Sequence, residues 1–93
     1  MMLTYSDAIA WCIKRKAVFR FVERGSRPDF VFINQQTPGT QSLELMYERD
    51  GRPVAVHVAL DTSVEPSKSV AIALISAVTF FMNKESCLIL SVN

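Results

Sequence analysis

The stretch Ser42–Asp61, SLELMYERDGRPVAVHVALD, decides how this chain is read. Asp50-Gly51 stands between two runs of alternating side chains, and an Asp-Gly pair in that setting supplies the two positive-φ positions of a type I′ hairpin turn. The turn sets the register, so that Leu43 faces Val58, Leu45 faces Val56 and Tyr47 faces Val54. Directly opposed side chains share one face of a sheet, so this apolar face belongs in a core. The other face pairs Glu44 with His57, Met46 with Ala55 and Glu48 with Pro53. That mixture suits solvent or partial cover.

Upstream, the segment LTYSDAIAWCIKRK (3–16) opens with Thr4 and, three residues on, Asp7, a capping box with an acid in the reciprocal position. It predicts a helix. At about 100° per residue, Tyr5, Ala8, Ile9, Cys12 and Ile13 form its apolar face, which leaves Asp7, Trp11, Lys14 and Arg15 on the opposite side. The following AVFRFVERGSRPDFVFIN (17–34) carries two aromatic and β-branched runs about a loop of Gly, Ser, Arg, Pro and Asp. It predicts strands near 17–24 and 29–34, joined as a hairpin with a long loop, in preference to a first helix continued to Arg24.

Downstream, Thr62 and Glu65 repeat the capping pattern, Pro66 is acceptable in a first helical turn, and Val70–Met82 is apolar except for Ser76 and Thr79. A helical wheel gathers Val70, Leu74, Ile75, Val78, Phe81 and Met82 on one arc. Ser69, Ala73, Ser76, Ala77, Thr79, Asn83 and Lys84 fall opposite, together with two apolar residues out of pattern, Ile72 and Phe80. This sidedness, and a run short of the roughly 20 apolar residues a membrane crossing takes, argue for a core helix with no membrane partner. The closing CLILSVN (87–93) reads as a last short strand. The expected order is α-β-β-β-β-α-β, giving one α+β domain over residues 1–93. Its architecture is a two-layer sandwich, a mainly antiparallel sheet of four or five strands with both helices on one face.

Composition bounds the function. With 49% hydrophobic and 20% charged residues in 93, the chain is globular in type. Its net charge of +1 is far from the strong domain-wide excess of a dedicated phosphate-backbone binder. The charge is uneven, however: residues 1–30 hold six Lys/Arg against three acids, and the remainder four against six. Two cysteines 75 positions apart and a single histidine make no recognisable zinc set, and no cofactor motif is present. Without a basic, apolar leader, the thiols Cys12 and Cys87 indicate a reducing cytoplasmic setting.

Catalytic groups do not converge. Glu44 opposite His57 is a pair that could move a proton, but the sequence names no nucleophile beside it, so a cross-strand structural pair is expected and no enzyme. EPSKS (65–69) lacks the glycines of a phosphate-cradling loop. Trp and Arg dominate interface hot spots, which makes Trp11 with Lys14, Arg15 and Arg27 the expected partner surface, along with Ile72 and Phe80. The partner is a protein or a second copy of the chain, in the manner of a small inhibitor or adaptor. The alternative is a nucleic-acid surface built from Lys14, Arg15, Lys16, Arg24, Arg27 and Lys68, with the aromatics interleaved among Arg20, Arg24 and Arg27 as stacking platforms.

Residues 4–83 also resemble the double-stranded-RNA-binding domain family in layout. WCIKRK (11–16) is similar to the family's helix-ending YCQKR-like string, VFRFVERGSRP (18–28) to its first strand and Gly/Pro loop, and SKSVAIALISAV (67–78) to its Ala-rich second helix. The resemblance implies a related layout, with the RNA contacts of the second helix reduced to Lys68 and the family's loop histidine missing between Gly25 and Asp29.

Overall fold

The computed structural model describes residues 3–24, 31–33 and 39–92, with backbone alone at 31, 32 and 86–92. The chain is α+β. Its elements are α1 (Tyr5–Arg15), β1 (Val18–Glu23), β2 (Val31–Ile33), β3 (Gln41–Arg49), β4 (Arg52–Ala59) and α2 (Pro66–Val92). Strands β1, β3 and β4 form an antiparallel sheet in that order, and the three residues of β2 run parallel to β4 on its far side.

The Asp50-Gly51 turn forms as its chemistry requires, with φ of 54° and 77°. It delivers the register of Leu43 on Val58, Leu45 on Val56, Tyr47 on Val54 and Glu44 on His57. The expected hairpin between 17–24 and 29–34 does not form. Instead, β1 pairs with β3 from Val18 on Met46 to Glu23 on Gln41, and β2 joins the opposite edge. Two β-prone runs near in sequence need not be neighbours in a sheet, since the long β3–β4 hairpin offers a free flank to each.

Helix α1 starts on the Thr4–Asp7 capping box and stops at Lys16, which adopts φ 54° and donates its N–H to the Cys12 and Ile13 carbonyls. A left-handed residue ends the helix here without glycine, and the β-branched and aromatic residues that follow take up the strand. The second helix begins at Pro66, where the Ser69 N–H donates to the Glu65 carbonyl, three residues later than Thr62 would suggest. It then continues to Val92. The expected final strand is therefore helix, for a visible reason: no Gly or Pro stands between Ser67 and Asn93 to turn the chain.

The core joins Leu43, Leu45, Tyr47, Val56 and Val58 of the sheet to Ala73, Leu74, Ala77, Val78 and Phe81 of α2 and Ala8, Trp11 and Cys12 of α1. Ala73 and Ala77 are thus inside, contrary to the wheel, because side chains this small let α1 approach α2 closely, with Ala8 equally buried. Over Pro66–Glu85, α2 is long and apolar enough to cross a membrane by length and composition. About a third of that stretch is buried, with Leu74, Val78 and Phe81 in the core shared with the sheet and α1, while Ile72 and Met82 are exposed.

Candidate interaction surface

Trp11 corrects the sequence reading first. It is 7% exposed, stacked nearly parallel on Phe81 with centroids 5.8 Å apart and edge-on to Tyr47 at 5.0 Å. The buried stripe of α1 is Ala8, Trp11, Cys12, a spacing of three and four, whereas Tyr5 and Ile13 face solvent. The wheel weighted aliphatic residues and so placed the core face to one side of its true line; the large indole carries more apolar area than either. Arg15, grouped with Trp11 as a contact, lies 4.3 Å over the indole ring and pairs with Glu85 at 3.4 Å. Glu85 also accepts from the Tyr47 hydroxyl at 2.9 Å. Burial, then the hydrogen bond to Glu85, pushes the Tyr47 phenol up. Arg15 is thus part of a clamp joining α1, β3 and α2.

The other anticipated residues are scattered. Phe80 is half-buried against the core with the Lys84 ammonium 5.8 Å over its ring, so its own chain covers much of it. Ile72 remains 51% exposed. Lys14 and Lys16 are exposed at the C-terminal end of α1, Lys68 is exposed in the first turn of α2, and Arg27 lies outside the described residues. Arg24 donates to the Gly39 carbonyl at 2.6 Å, at the far end of β1 from Lys16. At about 3.3 Å per residue, six strand residues separate these two basic groups by roughly 20 Å. They do not form one patch. Cys12 is buried, and that burial raises its thiol above the usual range against the opposing influence of Arg15. Among the described residues no three His, Cys, Asp or Glu side chains gather as a metal-ligand set.

The Glu44–His57 pair exists, enclosed rather than at a surface. Glu44 is 2% exposed and His57 fully buried; the imidazole Nε2–H donates to Glu44 Oε2 at 2.9 Å, and Arg20 Nε donates to Oε1 at 2.7 Å. Burial alone would lift this carboxyl, but the hydrogen bonds from Arg20 and His57 outweigh it and hold the group below the ordinary carboxylate value. The arrangement ties β1, β3 and β4 together across the sheet.

What the sequence reading missed is β1 itself. Phe19 and Phe21 are opposite Leu45 and Leu43, so they point to the same side of the sheet as the core, yet each is 51% exposed. Their rings meet edge to face at 6.4 Å. Among the described residues α2 packs over β3 and β4, α1 packs on α2 and reaches β3 through Trp11 on Tyr47, and neither helix packs closely on β1. Among the described residues the strand is also an edge of the sheet: the Arg24 N–H donates to the Thr40 carbonyl, which fixes the even-numbered residues as those bonded to β3. The N–H and C=O groups of Phe19 and Phe21 consequently point outward along the sheet border. Beside them opens a cleft of about 360 Å³ lined by Phe21, Gln41, Leu60, Val64, Pro66 and Val70. Alternation alone could assign Phe inward and Arg outward; which strand lies beyond the reach of the helices has no sequence signal, since strand order is a tertiary choice. Set against protein-family models, curated proteins and solved structures, the chain matches none of them.

Proposed function

We propose that this chain is a small non-catalytic protein-interaction module of the cytoplasm, adaptor or inhibitor in type, that binds its partner by adding a strand to β1. In this reading the fold is a two-layer sandwich whose helices cover one face of the sheet and stop short of its last strand. A single observation carries the reading: Phe19 and Phe21 lie half-exposed on the core side of a strand that, among the described residues, is an edge of the sheet, with their own N–H and C=O groups directed outward. Soluble proteins usually blunt such edges with Lys, Pro, bulges or a covering element, because an apolar open strand invites pairing. Here the apolar residues stay. Strand addition draws affinity from main-chain hydrogen bonds and specificity from pockets that take alternate side chains, and the cleft beside Phe21 has the position of such a pocket.

The test uses Phe21→Pro. Proline removes the outward N–H while leaving the β1–β3 ladder, which runs through the even residues. Peptides of random sequence displayed in extended form and selected on the wild-type domain are expected to carry alternating apolar residues and to lose binding to Phe21→Pro and Phe19→Ser, while Ile72→Ser retains it. Selected peptides that bind all three variants equally would remove β1 as the working surface.

A further inference from the structure

The geometry points to a second copy of this chain as the partner of the β1 edge, its own β1 running antiparallel about a two-fold axis that passes through Phe21. The inference rests on the reading of β1 as the working surface and adds what occupies it. In an antiparallel pair related by an axis normal to the sheet, opposed residues share a face, so odd-numbered residues oppose odd ones. The register is then selected by charge. With the axis at Arg20, that guanidinium opposes its own copy; with the axis at Val22, Arg20 opposes Arg24; with the axis at Glu23, two carboxylates oppose. Like charges directly opposite are destabilising. An axis at Phe19 leaves only Val18–Arg20 within the strand to pair, since Lys16 has already left it with φ 54°. The axis at Phe21 sets Phe21 on Phe21, Arg20 on Val22 and Phe19 on Glu23, and no like charges meet.

This register also fills the cleft. Glu23 is opposite Gln41 within the chain, and Gln41 lines the cleft beside Phe21. The second copy's Phe19, opposite Glu23 and on the core side, therefore arrives at the mouth of that cleft, and the symmetry returns Phe19 of the first copy to the other. Each site is incomplete without a residue of the other copy. Four rings, each about half of the 150–250 Å² an aromatic can bury, together bring on the order of 400 Å² of apolar surface under cover. With the backbone and cleft walls this is a small interface, and a weak, reversible dimer is its consequence.

Sedimentation velocity on the wild type between roughly 1 µM and 1 mM, the span such an interface requires, is expected to show a monomer–dimer equilibrium. Phe21→Pro and Phe19→Ser should each raise the dissociation constant at least ten-fold, with far-UV circular dichroism unchanged; the serine variant serves if the proline variant does not fold. Oxidised Phe21→Cys should cross-link through position 21 into a covalent dimer, and Phe19→Cys should not, because only position 21 lies on the axis. A wild type that stays monomeric to 1 mM overturns self-pairing, as does a dimer indifferent to both Phe variants. If the monomeric wild type still binds selected peptides in a Phe21→Pro-sensitive way, β1 remains the working surface and only the second copy is lost as its occupant. Peptide binding that ignores Phe21→Pro instead removes the surface and the inference together.

Discussion

Replacing Trp11 with Ala should unfold much of what holds the helices to the sheet. The indole is 7% exposed, stacks on Phe81, meets Tyr47 edge-on and lies under the Arg15 guanidinium. Truncating a buried aromatic to Ala costs about 3–5 kcal/mol, the spread reflecting how far the site collapses into the cavity. The two ring contacts, about 0.5–1.5 kcal/mol each beyond area burial, put Trp11 in the upper part of that range. A 93-residue domain has about 5–14 kcal/mol in total, so the variant loses from roughly a third to nearly all of its stability. Urea unfolding followed by circular dichroism, which both proteins report, should show the midpoint falling by at least about 1.3 M at an m-value near 1–3 kcal/mol/M. Trp11→Phe provides the control. It keeps the stack on Phe81 and removes an indole N–H that has no hydrogen-bond partner among the described residues, so about 1 kcal/mol should be lost. A Trp11→Ala protein within 1 kcal/mol of wild type would refute the placement of this side chain and return it to the surface.

Three further outcomes follow from the same geometry. Glu44→Gln should cost about 1–3 kcal/mol by chemical denaturation, since it leaves the buried His57 and the Arg20 guanidinium with a neutral acceptor. Because the folded-state pKa of Glu44 lies below the ordinary value of 4.5, its contribution is complete above that value and is lost as pH falls through the lower one. The wild-type stability profile should therefore fall more steeply below about pH 4.5 than that of Glu44→Gln. Gly39→Ala should lower Tm by at least about 4 °C per kcal/mol lost, with about 1–3 kcal/mol expected, as φ is +133° and an added Cβ would lie 2.6 Å from the Leu60 carbonyl oxygen. Duplex RNA and single-stranded nucleic acids at low salt should show no steep salt-dependent binding, because Lys16 and Arg24 stand roughly 20 Å apart at opposite ends of β1; a slope of several counterions would revive the phosphate-binding alternative.

Much of the fold was legible because local chemistry specified it. Asp50-Gly51 permits few turn types, so the entire β3–β4 register followed from two residues, and Thr4 with Asp7 placed the first helix start. The rest failed where the deciding term was long-range. Trp11 was misplaced because a wheel ranks faces by residue class and cannot weigh one indole's contact area against Ile13, which is 73% exposed. The last seven residues carry β-branched and aliphatic side chains that suit strand or helix alike, and a helix already nucleated continues at little cost when nothing interrupts it. For the interaction surface, the sequence showed Phe alternating with Arg on β1 but not that this strand would finish at the border of the sheet. Strand order is settled by which pairings bury most, and no residue within VFRFVE records it.

The placement of Arg20 on the reverse face of that same border strand has a further consequence. Without helix cover β1 is held by its ladder to β3 and by whatever pins it from behind, and the ion-paired hydrogen bond from Arg20 to the enclosed Glu44, itself fixed by His57, is such a pin. An edge strand that frays must be re-formed before it can receive another strand, and apparent affinity falls by the fraction of molecules in which it is formed. Glu44→Gln should thus loosen the interaction surface from the opposite face of the sheet, without touching Phe19 or Phe21. Native-state hydrogen exchange separates this from general destabilisation. The Arg20 and Val22 amides, which point into the β1–β3 ladder, should exchange faster by a larger factor than the amides of Leu45 and Val56 in the central hairpin. Equal acceleration at all four positions would mean that the buried pair supports the whole sheet alike, and that β1 is held by its backbone ladder alone.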